Sequence, residues 1–199
     1  CDAAGSAGLN VRSAKSMRIA RLQASDLDRY RALMLHAYAS APDAFTSTPD
    51  ERAAAPLSWW AARIADGQGL SQALGAFVDD GLVGTVTVEF SAKPKTRHKA
   101  HLIGMFTHEA SRGRGIGRAL VHAALQEAGA RPGVQVVTLT VTEGNALAVR
   151  LYQSFGFQAF GVEPMAIQTP AGFLSKVHMW LRLPNATPRD LDYGSGYGV

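Results

Sequence analysis

A single cysteine, Cys1, among 199 residues excludes a disulfide within the chain and agrees with a reducing compartment. Apolar runs never approach the length of a membrane span, and no basic, apolar and small-residue signal segment opens the chain. These two absences make a cytoplasmic protein with no membrane partner the expectation. Charge of one sign is also scarce. A formal net charge of +4 is too small and too spread to argue for nucleic acid, although it suits an anionic ligand. Internal repeats are absent as well. What is present is ordinary for one globular domain with a sizeable core: 47% apolar residues and 18% charged.

Residues 1–16 are small and polar without periodicity, and the end from Pro184 runs out in Gly-Ser-Gly-Tyr-Gly-Val. Both read as flexible tails, which leaves 17–183 as the folded domain. Alternation from Met17 to Gln23 predicts a first strand. Ser25-Asp26 can then cap a helix carrying Leu27, Tyr30, Leu33, Met34 and Tyr38 at core spacing. Ala41 to Ala55 holds Pro42, Pro49 and several polar residues and predicts a loop, followed by a helix from Pro56 with Trp59, Trp60 and Ile64. Gln72 to Val78 and Leu82 to Phe90 flank Asp79-Asp80-Gly81, a hairpin signature. Lys93 to Lys99 is a basic loop, and His101 to Thr107 follows as a strand in which Gly104 suggests a bulge. Helix 117–130, strand 134–142, helix 145–154, a short strand after Gly156 and a last strand 173–183 complete a mixed α/β pattern.

Arg112-Gly113-Arg114-Gly115-Ile116-Gly117-Arg118 sets three glycines and three arginines before the apolar helical run Ala119 to Ala128. Glycine lets backbone approach an anion, free N–H groups at a helix start point toward it, and the helix dipole adds roughly half a positive charge there. A dinucleotide fingerprint beginning at Gly115 would need glycine at position 120, where Leu120 stands, and the Gly-Lys-Ser/Thr of a Walker loop is absent. Arg112-x-x-Gly115-x-Gly117 resembles instead the pyrophosphate loop of the GCN5-related N-acetyltransferase (GNAT) superfamily. The strand before it occupies the family's position, and Asn145-x-x-Ala148-x-x-Leu151-Tyr152-x-x-x-Gly156-Phe157 resembles the family's downstream segment.

That resemblance implies a central, mostly antiparallel sheet of six to seven strands, flanked by about four helices and splayed at strands 4 and 5. It implies transfer of acetyl from acetyl-CoA, without metal, to a primary amine on a small molecule or peptide, by a monomer or homodimer. The alternative is a non-catalytic acyl-CoA-binding sensor. The pyrophosphate would meet the backbone of Gly113, Arg114, Gly115, Ile116, Gly117 and Arg118 with arginine side chains, Arg112 among them, near the phosphates. Met105, Phe106 and Thr107 would hold the pantetheine arm through their backbone, with an N–H polarising the thioester carbonyl. Seven residues of helix turn about 700°, so Asn145, Ala148 and Tyr152 share a face, while Leu147, Leu151 and Phe155 form an apolar stripe. Asn145 can cap that helix and bond the arm, and Tyr152 can protonate the departing thiolate. Family members often place a glutamate as base six residues before the position of Thr107; here His101 stands, and Glu89 is the other candidate. Strand alternation predicts His101, Ile103, Met105 and Thr107 on one side. Tyr38, Phe45, Trp59 and Trp60 read chiefly as core, with an acceptor pocket as the alternative.

Overall fold

The structure, a computed structural model, describes residues 16–64 and 66–184. The two tails, apart from Ser16 and Pro184, lie outside the described residues. Seven strands form one sheet: β1 (Met17–Arg21), β2 (Ser71–Val78), β3 (Gly81–Phe90), β4 (Lys99–Thr107), β5 (Val136–Thr142), β6 (Gln158–Thr169) and β7 (Gly172–Arg182), in the order β1-β2-β3-β4-β5-β7-β6. Every neighbouring pair is antiparallel except β4–β5. Helices are α1 (Leu27–Ser40), α2 (Pro49–Ala53), α3 (Leu57–Ile64), α4 (Ile116–Ala130) and α5 (Ala146–Gln153).

The sheet buries apolar side chains on both faces. Leu120, Val121, Ala124 and Ala128 of α4 pack on one side against Leu74, Val86, Val88, Leu102, Val137 and Leu139. Tyr30, Leu33, Met34 and Ala37 of α1, with Trp60 and Ile64 of α3, pack on the other against Ala73, Phe77 and Phe106. The β2–β3 hairpin turns on Asp79 (φ 49) and Asp80 (φ 63), while Gly81 already pairs with Val78. Aspartate tolerates this left-handed geometry through its short polar side chain, so Gly81 is freed to start the strand. Among the described residues no helix is long and apolar enough to cross a membrane.

Three expectations need correction. The stretch 41–55 is not a plain loop: it holds a 3-10 turn at Pro42–Ala44 and the helix α2, whose cap is the Thr48 hydroxyl accepting from the Glu51 N–H at 3.2 Å. Thr48-Pro49-Asp50-Glu51 carries the capping signal, with proline at the first turn. The strand after Gly156 is long, twelve residues. It sits at the sheet edge, where Pro164 loses no ladder bond, and the register shift between Glu163 and Ile167 absorbs the irregularity. Leu147 is 75% exposed and does not join the core stripe; in the first turn of α5, it lines the cavity beside the glycine-rich loop instead.

Candidate active site

Strands β4 and β5 stay paired only from Lys99↔Val136 to Leu102↔Leu139, although β4 runs on to Thr107 and β5 to Thr142. Beyond Leu102 the two strands fork. Gly104 drives this: its φ of +60 places it in the left-handed region, and the β3–β4 register shifts there, between Thr85↔Phe106 and Thr87↔Ile103. The bulge also reverses the alternation of β4, which corrects the expectation that His101, Ile103, Met105 and Thr107 share a side. Met105 packs with Ala100 and Leu102 against the α4 cluster, while Phe106 joins the α1 cluster. One extra residue in a period-two strand must have this effect.

A cavity of about 200 Å³ occupies the fork, lined by Gly104 and Met105 of β4, Thr140 and Thr142 of β5, and Asn145, Ala148 and Tyr152 of α5. Backbone peptide groups of β4 past Leu102 have no ladder partner on β5, so an amide-bearing chain threaded here would complete the sheet. The Asn145 carboxamide caps α5, its oxygen accepting from the Ala148 N–H at 3.2 Å. Tyr152 is 6% exposed and stands edge-on to Phe157 at 5.7 Å. Burial pushes its hydroxyl up to about 12, so it stays protonated at neutral pH.

A second cavity, about 440 Å³, continues from the fork to the glycine-rich loop and is lined by Thr107, Arg112, Gly113, Gly115 and Gly117. Gly113 (φ +74) and Gly115 (φ +78) are left-handed, and a Cβ at either would meet open space. Gly115 is the N-cap of α4, so unpaired helix N–H groups face the cavity end of the loop. The three arginines divide. Arg112 donates from Nε to the Thr107 carbonyl at 3.1 Å and pairs with Glu109 at 3.4 Å. Arg118 donates to the Ser154 hydroxyl at 3.2 Å and lies over the Phe155 ring. Arg114 is exposed and makes neither kind of contact with the described residues. Beside Arg112, His36 is stacked on His108 and bonded to Glu109 at 2.9 Å, a bond that holds the Glu109 carboxyl down at about 2. A further depression, about 750 Å³, runs between β1 and α4 and meets the loop at Gly115 and Arg118; it holds none of the fork residues.

On the α1 side of the sheet a third cavity, about 330 Å³, shares Phe45, Thr46, Ile103 and Gly104 with the fork. His101 and Glu89 both line it and are direct partners across β3–β4. Glu89 pairs with Arg63 at 2.9 Å. The Thr138 hydroxyl donates to the Ala100 carbonyl at 3.3 Å, so it accepts from His101 Nδ1–H at 2.9 Å and leaves Nε2 as the bare nitrogen. Burial lowers the His101 pKa, and the Glu89 charge opposes that only in part.

The sequence model of the acetyltransferase (GNAT) family matches residues 32–157, more than half of the chain. The chain belongs to the GNAT acetyltransferase family. It is 30% identical over 102 residues to the L-amino acid N-acetyltransferase AaaT of Escherichia coli (strain K12), a match spanning 51% of this chain and 62% of that protein. A GCN5-related N-acetyltransferase from Kribbella flavida superposes with a TM-score of 0.71 at 25% identity, covering 84% of this chain and 98% of the other. The structure of yncA from Salmonella typhimurium with its cofactor acetyl-CoA gives 0.71 at 23% identity, covering 88% and 99%.

In this GNAT chain most of the expected residues line three neighbouring cavities that share side chains. Met105, Asn145, Ala148 and Tyr152 line the fork; Phe106, Thr107, Arg112, Gly113, Gly115, Ile116 and Gly117 line the loop cavity; His101 and Glu89 line the third. Arg114 and Arg118 are outside these linings. Trp60 and Tyr38 are core, as expected, with Phe45 and Trp59 packed against it; Tyr38, Phe45 and Trp59 also line the third cavity, and Phe45 borders all three. Sequence reasoning missed Ser47, Arg52 and Arg63 of that cavity. The capping signal at Thr48 could have placed Arg52 on a helix; nothing local marks Arg63.

Proposed function

We propose that the chain transfers acetyl from acetyl-CoA to a primary amine by direct attack, with an amino acid as acceptor. The observation that carries this reading is the β4–β5 fork, a cavity between an unpaired β4 edge and the α5 face bearing Tyr152. The bound acetyl-CoA of the Salmonella typhimurium neighbour and the name of the Escherichia coli relative support the donor and the acceptor class. The pyrophosphate would lie on the N–H groups of 113–118, and the pantetheine arm along Met105 to Thr107.

The acceptor amine enters from the third cavity and gives a proton to His101 Nε2, directly or through a water. Its lone pair attacks the thioester carbon, and the carbonyl oxygen, now anionic, takes a hydrogen bond from a backbone N–H of β4. Collapse re-forms the carbonyl, breaks the C–S bond and leaves the thiolate beside Tyr152, which protonates it, while the cationic nitrogen sheds its second proton, which returns to the tyrosinate through water. The site that raises the Tyr152 pKa also desolvates the thiolate, so both anions are penalised and the transfer remains accessible. The test is thermal unfolding with millimolar acetyl-CoA, followed by an acceptor screen reading CoA release. A rise in Tm and release with an amine are expected. An unchanged Tm would sink the donor assignment, and no release with any amine would sink the transfer.

A further inference from the structure

The acceptor cavity carries a cation whose carboxylate partner is exposed and 3.5 Å away. Of its two arginines, Arg63 is matched by Glu89 at 2.9 Å. Arg52, on α2, is different. It lies over the Trp59 ring at 4.2 Å, donates to the Ser47 hydroxyl, and meets Glu51 only at 3.5 Å, where that carboxylate is 55% exposed. Its own side chain is 19% exposed, and its Nε is cut off from solvent with no acceptor within hydrogen-bond geometry. Tyr38 stands close enough to feel the guanidinium, which lowers its pKa against the larger upward push of burial. The Nε is walled off, so an incoming oxyanion would meet the guanidinium through the part of the side chain that lines the cavity, where the countercharge of Glu51 is exposed and screened.

We propose that Arg52 receives the carboxylate of the acceptor, so that the enzyme selects free α-amino acids with apolar side chains over simple amines. This rests on the acetyl-transfer reading above. The strand floor of the cavity carries Glu89 and His101, suited to the ammonium and its proton; the helical wall carries Arg52, suited to a carboxylate because its planar fork can bond both oxygens. Met34, Phe45, Trp59 and Ile103 supply the apolar lining between them. About 330 Å³ is small for a binding site, which favours a single amino acid over a peptide.

The test compares L-valine, L-leucine, L-methionine and L-phenylalanine with their methyl esters and their decarboxylated amines, as kcat/KM per neutral amine from CoA release. The free acids should lead. Arg52→Gln should lower kcat/KM for the acids by roughly 10- to 150-fold, mostly through KM, while the decarboxylated amines change by less than about threefold. Arg52→Lys should recover part of the loss. The acetyl-CoA-induced rise in Tm, kept in both variants, shows that fold and donor site survive. If Arg52→Gln does not fold, the parent alone decides, since equal use of acids and decarboxylated amines overturns the carboxylate role. Turnover of amines only, or an equal loss for acids and amines in Arg52→Gln, overturns it too. Absence of release with every acceptor would instead overturn acetyl transfer itself, and this assignment with it.

Discussion

His101→Asn isolates the proton acceptor. In the parent, burial lowers the His101 pKa and Thr138 fixes the tautomer, so kcat/KM should rise with pH through an ionisation below the ordinary imidazole value and then level off. The sign is fixed: the neutral ring is the base, so activity is lost as pH falls. His101→Asn should remove this limb and slow the reaction by roughly 100- to 10,000-fold, the usual contribution of a positioned base. Two neighbours give graded effects. The Glu89 charge raises the His101 pKa, so Glu89→Gln should keep the limb and move it to lower pH. Thr138→Val removes the hydroxyl that holds His101 Nδ1–H, a hydrogen bond worth about 0.5–1.5 kcal/mol, and should cost roughly 2- to 13-fold. The assay is CoA release across pH with two acceptors of different amine pKa, since a limb belonging to the amine follows the acceptor and one belonging to the protein does not. A limb that survives His101→Asn at a nearly unchanged rate would refute the assignment; its disappearance in Glu89→Gln alone would transfer the role to Glu89.

Tyr152→Phe should slow turnover roughly 10- to 10,000-fold with cofactor affinity nearly intact, and equal turnover in a reaction limited by chemistry would remove Tyr152 from the mechanism. Gly115→Ala forces a side chain into the left-handed region and should cost about 1–2 kcal/mol, whereas Gly117→Ala, whose Cβ meets Leu151 at an ordinary 3.4 Å, should cost nothing in the cofactor-free protein. Gly115→Glu should abolish the acetyl-CoA-induced rise in Tm; chemical denaturation and thermal shift read the three variants. Alkaline spectrophotometric titration should show two of the five tyrosines ionising only with unfolding, because burial pushes Tyr30 and Tyr152 up to about 12. Both pKa values exceed the unfolded one, so the fold should lose on the order of 2 kcal/mol per tyrosine as pH rises from about 10 to 12. Normal titration of all five would contradict this.

The sequence by itself determined what depends on neighbours along the chain. Apolar periodicity placed α1, α4 and α5, alternating and β-branched runs placed the strands, and Asp79-Asp80-Gly81 placed the hairpin, because each of these signals is a backbone or patterning preference expressed over a few residues. The glycine-rich loop was legible for the same reason: the N-terminus of α4 and the left-handed glycines before it form one contiguous segment. Gly104 announced a bulge, but not that the bulge would turn Met105 to the opposite face from Ile103, since that follows only once β3 fixes the register. The third cavity was hidden almost entirely. Arg52, Arg63, Glu89 and His101 come from α2, α3, β3 and β4, and the tertiary structure alone decides that Glu89 neutralises Arg63 while Arg52 is left with a buried, unpaired N–H. Charge pairing and desolvation are set by distances across elements, and no local pattern encodes them.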